Sequence, residues 1–231
     1  MSLNIRRLLV MGSLLLLTGC GTRGIPPEVT AMATREKSPV VCKPQRIILD
    51  AGHGGRDTGA ASCRENYEEK SLTLSTALLV QDQLKKMGYQ TSLTRNHDIY
   101  LPLSTRAEIA NKHDADLFVS IHYNFSTSKE AHGIEVFYYK EEKAPSHPRI
   151  VKSKQLAQRV LNGVLTQTGA NSRGVKQANF AVVRETKMPA ILIEAGFLSN
   201  RQERDKIKDP CYLRLLAKGI AEGIDSYLNK N

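Results

Sequence analysis

Among the four cysteines of this 231-residue chain (Cys20, Cys42, Cys63 and Cys211), no two stand at C-x2-4-C spacing, which argues against a cysteine zinc site. The chain has no run of five Lys or Arg and no interleaving of aromatic with basic residues. Its formal net charge of +10 therefore does not read as a nucleic-acid surface. Beyond the N-terminal leader, no segment is long and apolar enough to span a bilayer, which takes roughly 20 residues. There is no internal repeat, no low-complexity block and no H-E-x-x-H helix. What remains is 41% hydrophobic, too apolar to be disordered by composition, and long enough for one domain plus a leader. The basic surplus favours an anionic partner such as acidic lipid or a cell-wall polymer.

The N-terminus sets the expected compartment. Arg6 and Arg7 precede the apolar stretch LLVMGSLLLL, which suits a secretory signal. It runs into Leu17-Thr18-Gly19-Cys20, which resembles a bacterial lipobox. The resemblance implies cleavage before Cys20 and lipidation of that residue, and the mature chain keeps a charge of +8 once Arg6 and Arg7 are gone. Gly21, where many inner-membrane lipoproteins carry Asp, favours the periplasmic, inner face of the outer membrane. Residues 1–19 are thus expected to be a signal peptide and 20–45 a lipidated, proline-containing tether. Residues 46–231 are expected to form one catalytic domain. Pairing among Cys42, Cys63 and Cys211 is not legible from sequence.

Alternating strand-like and helix-like segments predict an α/β domain. Ile47–Asp50, Tyr89–Thr94, Asp116–His122, Gly133–Tyr138, Asn179–Arg184 and Ala190–Glu194 read as strands. Helices are expected over 70–87, with an apolar face at Leu74, Leu78, Leu84 and Met87 and Gly88 as a stop, and from the capping box Thr105-Arg106-Ala107-Glu108. Two more are expected along Leu156, Val160, Val164 and Leu165, and along Leu213, Leu216, Ile220 and Ile224.

Chemistry gathers at the strand ends. His53 follows the first strand, His122 ends DLFVSIH, Glu194 ends AILIE, and Glu69 opens the first helix. In open α/β sheets the carboxyl ends of strands line the ligand crevice. Two imidazoles and two carboxylates suit a catalytic zinc site, in which three ligands hold the metal and a further carboxylate moves protons. Spacing alone does not distribute these roles. His97, His113, His132 and His147 read as surface or locally satisfied residues.

The segments LDAGHGGRDTGA, EEKSLTL, TRNHDIYLPLSTRAEIAN, ADLFVSIHYN and RGVKQANFAVVRETKMPAILIEAGFLSN resemble the zinc-dependent N-acetylmuramoyl-L-alanine amidases (amidase type 3), a family that includes the bacterial cell-separation enzymes. The likeness covers residues 46–228. It implies a mixed, mostly parallel six-stranded sheet flanked by helices, and one zinc held by His53, Glu69 and His122. It further implies Glu194 as the catalytic carboxylate, Arg173 of RGVK as a substrate contact, and Arg106 and Asn111 as structural. The implied reaction is hydrolysis of the amide between N-acetylmuramic acid and L-alanine in peptidoglycan, by zinc-activated water with a glutamate base. Ala51 and Tyr123 depart from the family pattern, and Tyr123 is expected to narrow or line the cleft.

Two rivals stand beside this reading. One is a degenerate module that binds peptidoglycan without cutting it, against which the four retained residues argue. The other is a side activity of penicillin-binding type at Ser126-x-x-Lys129, although no K-T-G segment accompanies it. Only some fourteen residues, YKEEKAPSHPRIVK, join the fourth strand to the next helix. They have neither the length nor the periodicity of a plug helix, so the cleft is expected to be open and no obligatory activator is predicted.

Overall fold

The computed structural model describes residues 45–62 and 66–229. The proposed lipobox and residues 20–44 of the tether lie outside them, as do Cys20, Cys42 and Cys63. The first half runs β1 (Arg46–Ala51), β2 (Ala61–Ser62), β3 (Tyr67–Glu68), α1 (Glu69–Lys86), β4 (Gln90–Leu93), α2 (Leu103–Lys112) and β5 (Leu117–Asn124). It continues with β6 (Ile134–Tyr139), α3 (Pro148–Thr168), β7 (Ser172–Ala178), α4 (Ala181–Arg184), β8 (Ala190–Phe197), α5 (Arg201–Ile207) and α6 (Pro210–Leu228). Six strands form one sheet in the order β4-β1-β5-β8-β6-β7, with only the β6–β8 pair antiparallel. This is the mostly parallel, single-domain α/β architecture expected.

Both faces of the sheet are covered, so its central strands are apolar almost throughout. On one face Ile47, Leu49, Val119, Ile121, Val136 and Ile193 pack with α1, α3 and α6. On the other, Ile48, Phe118, Ala190 and Leu192 pack with Ala110 of α2 and with Val182 and Val183 of α4. Helices α3 and α6 touch through glycine. A Cβ on Gly219 would lie 2.6 Å from Val164 Cα, and one on Gly223 would lie 2.4 Å from Val160 Cα.

Three expectations need correction. Asn179–Arg184 is not a strand: Ala181–Arg184 is a single helical turn that buries the adjacent Val182 and Val183, which an alternating strand cannot do. The strand is Ser172–Ala178, an edge strand whose polar sequence SRGVKQA hides it from a search for apolar alternation. Helix α2 begins at Leu103, behind Pro102, with no side-chain cap, rather than at the Thr105 box. Helix α1 ends before Gly88 (φ 90°) as expected, but its buried face is Thr73, Thr76, Ala77, Val80 and Leu84, while Leu78 and Met87 are exposed. Small residues let α1 lie close to the sheet, so of the expected stripe Leu84 is buried and Leu74 half-buried, while the rest of the inner face is threonine, alanine and valine.

Candidate active site

Strand register builds the site rung by rung. On the α2/α4 face, Ile48, Phe118 and Ala190 stand abreast, then Asp50, Ser120 and Leu192. The next rung holds His122 beside Glu194, and β6 adds Glu135 directly opposite Glu194. An apolar floor thus gives way to a polar layer and then to ionisable groups at the carboxyl ends of β5 and β8.

The polar layer is a buried ion pair. Asp50 receives Arg106 Nη1 (2.9 Å), Thr94 Oγ1 (2.7 Å) and Ser120 Oγ (2.7 Å). Burial pushes the Asp50 carboxyl up, but Arg106 and the two hydroxyls outweigh it and hold the group below its ordinary value. Arg106 also donates to the carbonyls of Ala51 (2.7 Å) and His53 (2.6 Å). Asn111 bonds Glu185 O and Lys187 N, and among the described residues it makes no hydrogen bond to the lining of the cleft. Both residues therefore brace the backbone.

His53 adopts φ 61°, a left-handed conformation uncommon for a residue with a Cβ. Arg106 holds its carbonyl, and the Gly54–Asp57 backbone pair closes the loop beyond it. Asp57 Oδ1 lies 2.9 Å from His53 Nδ1, so the ring presents Nε2 to the cleft. Glu69 comes from the opposite face of the sheet, at the N-terminus of α1, where its backbone N–H donates to Ala60 O. Its Oε1 lies 3.0 Å from His53 Nε2 and 3.1 Å from His122 Nδ1, and accepts the Tyr123 N–H at 3.0 Å. Its Oε2 accepts the Ala60 N–H at 3.0 Å. Burial raises the Glu69 carboxyl, yet the two imidazoles overcome this and hold it well below the carboxylate range. Burial likewise pulls His53 down, but Glu69 and Asp57 prevail and raise it. Glu68, the neighbouring candidate, is exposed and turns to Lys70 at 3.5 Å.

One donor atom each from His53, Glu69 and His122 lies within 4.8 Å of the others. Ligands about 2.0–2.2 Å from a tetrahedral zinc stand roughly 3.3–3.5 Å apart. The 3.0 and 3.1 Å spacings of the two imidazoles from Glu69 are a few tenths of an ångström shorter than that, a gap that small side-chain shifts close, so the donor set fits a metal in chemistry and nearly in size. Glu194 lines the same cavity, of about 480 Å³, with Gly59, Ala60, Asn124 and Phe125. Its buried Oε2 has no hydrogen-bond partner among the described residues. Burial, reinforced by Glu69 and Glu135 against the pull of His122, pushes its carboxyl up to about 7.

Tyr123 is among the residues lining the cavity, as expected, but its ring does not reach across it. Its side chain is buried in the α1-side core and its hydroxyl meets Thr76 Oγ1 at 2.6 Å. Ser126 and Lys129 are not hydrogen-bonded to each other: Ser126 Oγ accepts the Ser128 N–H, and Lys129 Nζ lies 5.4 Å from the Phe125 ring centroid. His97, His113, His132 and His147 all make local contacts away from the cluster. Arg173 stacks over Phe197 and donates Nε to Glu135 Oε2 at 3.0 Å. Sequence reasoning passed over Asp57 and Glu135. An acid four residues beyond His53, and another inside the apolar strand IEVFYY, were the available signals.

Residues 47–226 match the family described as N-acetylmuramoyl-L-alanine amidase. The curated relative LytC of Bacillus subtilis, an N-acetylmuramoyl-L-alanine amidase, is 34% identical over 87% of this chain, which spans 39% of LytC. The solved N-acetylmuramoyl-L-alanine amidase of Clostridium difficile 630 is 38% identical, with a TM-score of 0.76 over 81% of this chain and 98% of that one. The CwlD amidase of Clostridioides difficile, solved in complex with the GerS lipoprotein, is 30% identical, with a TM-score of 0.74 over 81% and 100%. Sequence match, sheet order and the His–Glu–His cluster agree, and the chain belongs to the N-acetylmuramoyl-L-alanine amidase family.

Proposed function

We propose that this chain hydrolyses the amide joining N-acetylmuramic acid to L-alanine in peptidoglycan, with one zinc held by His53, Glu69 and His122. The observation that carries this reading is the convergence of His53 Nε2 and His122 Nδ1 on one oxygen of Glu69, with Glu194 in the same cavity. Zinc, when bound, would acidify a water and polarise the scissile carbonyl. Glu194 takes the water's proton and passes it to the leaving nitrogen of L-alanine. Burial favours the protonated form of the Glu194 carboxyl, which this transfer passes through. Asp57 fixes the ring and tautomer of His53, and the Tyr123 and Ala60 N–H groups orient Glu69. Arg173, on the edge strand beyond Glu135, meets the substrate outside the metal cluster.

The test is mass spectrometry of digested sacculi, with free stem peptides beside unsubstituted glycan as the expected products. Metal analysis of His122→Ala should show zinc lost, and full occupancy there would remove His122 from the ligand set. The chain acts in the periplasm, tethered through lipid on Cys20. Cys20→Ala should release it to the soluble fraction, and unchanged membrane association would end the lipobox reading.

A further inference from the structure

The substrate contact proposed for Arg173 has a chemistry that can be read from its surroundings. Glu135 is almost fully buried, with 4% exposure, and lies directly opposite Glu194 across the antiparallel pair. Like charges in that relation repel, so Glu135 needs compensation from elsewhere. It receives Asn124 Nδ2 at 2.7 Å on one oxygen, and Arg173 Nε (3.0 Å) together with Lys176 Nζ on the other. One carboxylate is therefore met by two cations, one charge more than Glu135 itself balances.

The backbone is shaped to bring them there. Along the parallel β6–β7 pair, Ile134 faces Ser172 but Glu135 faces Gly174, so Arg173 is the extra residue of a bulge. Gly174, at φ 87°, supplies the left-handed turn this requires. In a regular strand Arg173 would point to the face opposite its neighbours. The bulge re-aims it to Glu135, and its guanidinium lies 4.8 Å from the Phe197 ring centroid. Lys176 needs no bulge, because it pairs with Phe137, two residues beyond Glu135 on the same face. Both cations keep part of their surface in water, with side-chain exposures of 37% and 39%. Arg173 Nη2 has no hydrogen-bond partner among the described residues, and the three-donor ammonium of Lys176 spends one bond on Glu135.

Building on the activity proposed above, we infer that Arg173 and Lys176, gathered on Glu135 by the β7 bulge, form a subsite for a carboxylate on the peptide side of the scissile amide. The choice of side follows from charge. The lactyl carboxyl of N-acetylmuramic acid is consumed in the amide itself, so the glycan brings no anion to the site, whereas the peptide carries free carboxylates. Glu135 is then a positioning residue that holds the cations two strands from His122 without quenching both.

Two glycan-linked peptides test this, identical except that the residue after L-alanine has its α-carboxylate free or amidated. The full chain should prefer the free carboxylate by roughly tenfold or more in kcat/KM, the scale of one charge-assisted hydrogen bond. Lys176→Met and Arg173→Gln should each draw that ratio toward one, mainly through KM, while Lys176→Arg keeps it. Equal rates on both substrates in the wild type, or a preference that survives both variants, overturns the subsite. Thermal unfolding of each variant separates lost binding from lost fold. If the wild type cuts neither substrate, the amidase reading fails on its own, and calorimetry with the two free peptides decides the subsite. Tighter binding of the carboxylate form, lost in Lys176→Met, supports it, and equal binding overturns it.

Discussion

A Cβ on Gly52 would lie 2.3 Å from His122 Cε1 and 2.4 Å from its Nε2, so the residue just past the first strand is glycine because a ring from the neighbouring strand occupies the space. Nothing in the Gly52 backbone forbids alanine, since its φ is not left-handed. The constraint is contact alone. Gly52→Ala should therefore fold, displace the His122 ring and weaken zinc binding by roughly 10–100-fold, the usual scale when the support of a ligand is disturbed. Titration against a competing chelator measures this, and wild-type affinity would show that the ring is free to move aside.

Removing the base should separate metal from turnover. Glu194→Gln keeps the shape of the side chain and touches none of the three donors. The variant should hold zinc yet lose about 10²–10⁴-fold in kcat, because an amide cannot accept the proton. Stem-peptide release from sacculi, read beside zinc content, checks both halves. Undiminished turnover would move the proton transfer to another group.

The Asp50–Arg106 pair makes a prediction about acid. The folded Asp50 carboxyl is held below its unfolded value of about 3.9. Its contribution to stability is complete above that pH and disappears as pH falls through the folded value. Asp50→Asn should be less stable at neutral pH by about 3–5 kcal/mol, because Arg106 stays buried without its partner. It should also lack the part of the acid slope that Asp50 gives the wild type. Chemical denaturation between pH 3 and 7 reads both, and parallel pH curves for the two proteins would refute the assignment.

The glycines between α3 and α6 set two effects against each other. Alanine is a better helix former than glycine by about 1 kcal/mol. A Cβ on Gly223, however, would meet Val160 Cα at 2.4 Å and Arg159 O at 2.7 Å, and backbone atoms cannot rotate away. Overpacking costs about 1–3 kcal/mol. Gly223→Ala should therefore lower the Tm, and a gain would mean that the helices separate cheaply.

Much of this was legible in the sequence because the site sits where strands stop. His53, His122 and Glu194 each follow an apolar run, and a buried parallel strand announces itself by such a run. The capping box at Thr105, and Leu78 and Met87 in the expected stripe of α1, misled because local signals were overridden by packing. Pro102 starts α2 earlier, and small residues bring α1 close to the sheet. Strand β7 stayed hidden because an edge strand with a bulge needs little apolar character. An acid inside the apolar strand IEVFYY marked Glu135 as unusual, but not its role, which depends on register with Glu194 and on cations from another strand.

The last prediction concerns control. Eight residues, Lys140–His147, link β6 to α3, and all but Glu141 are exposed. Lys140 pairs with Glu142 at 2.9 Å in solvent, and Pro145 interrupts the segment. A plug needs an apolar face to hold it shut, and this segment has none. Among the described residues, the donor atoms of His53, Glu69 and His122 meet one another, Asp57 and backbone N–H groups, but no side chain from that loop. The CwlD relative was solved with a lipoprotein partner, so dependence on a second protein is a live alternative to measure. We expect purified full-length protein, loaded with zinc, to release stem peptides from sacculi unaided. Adding a periplasmic extract should leave the rate per enzyme unchanged. Activity that emerges only with a second protein would place control in a partner rather than in access to the substrate.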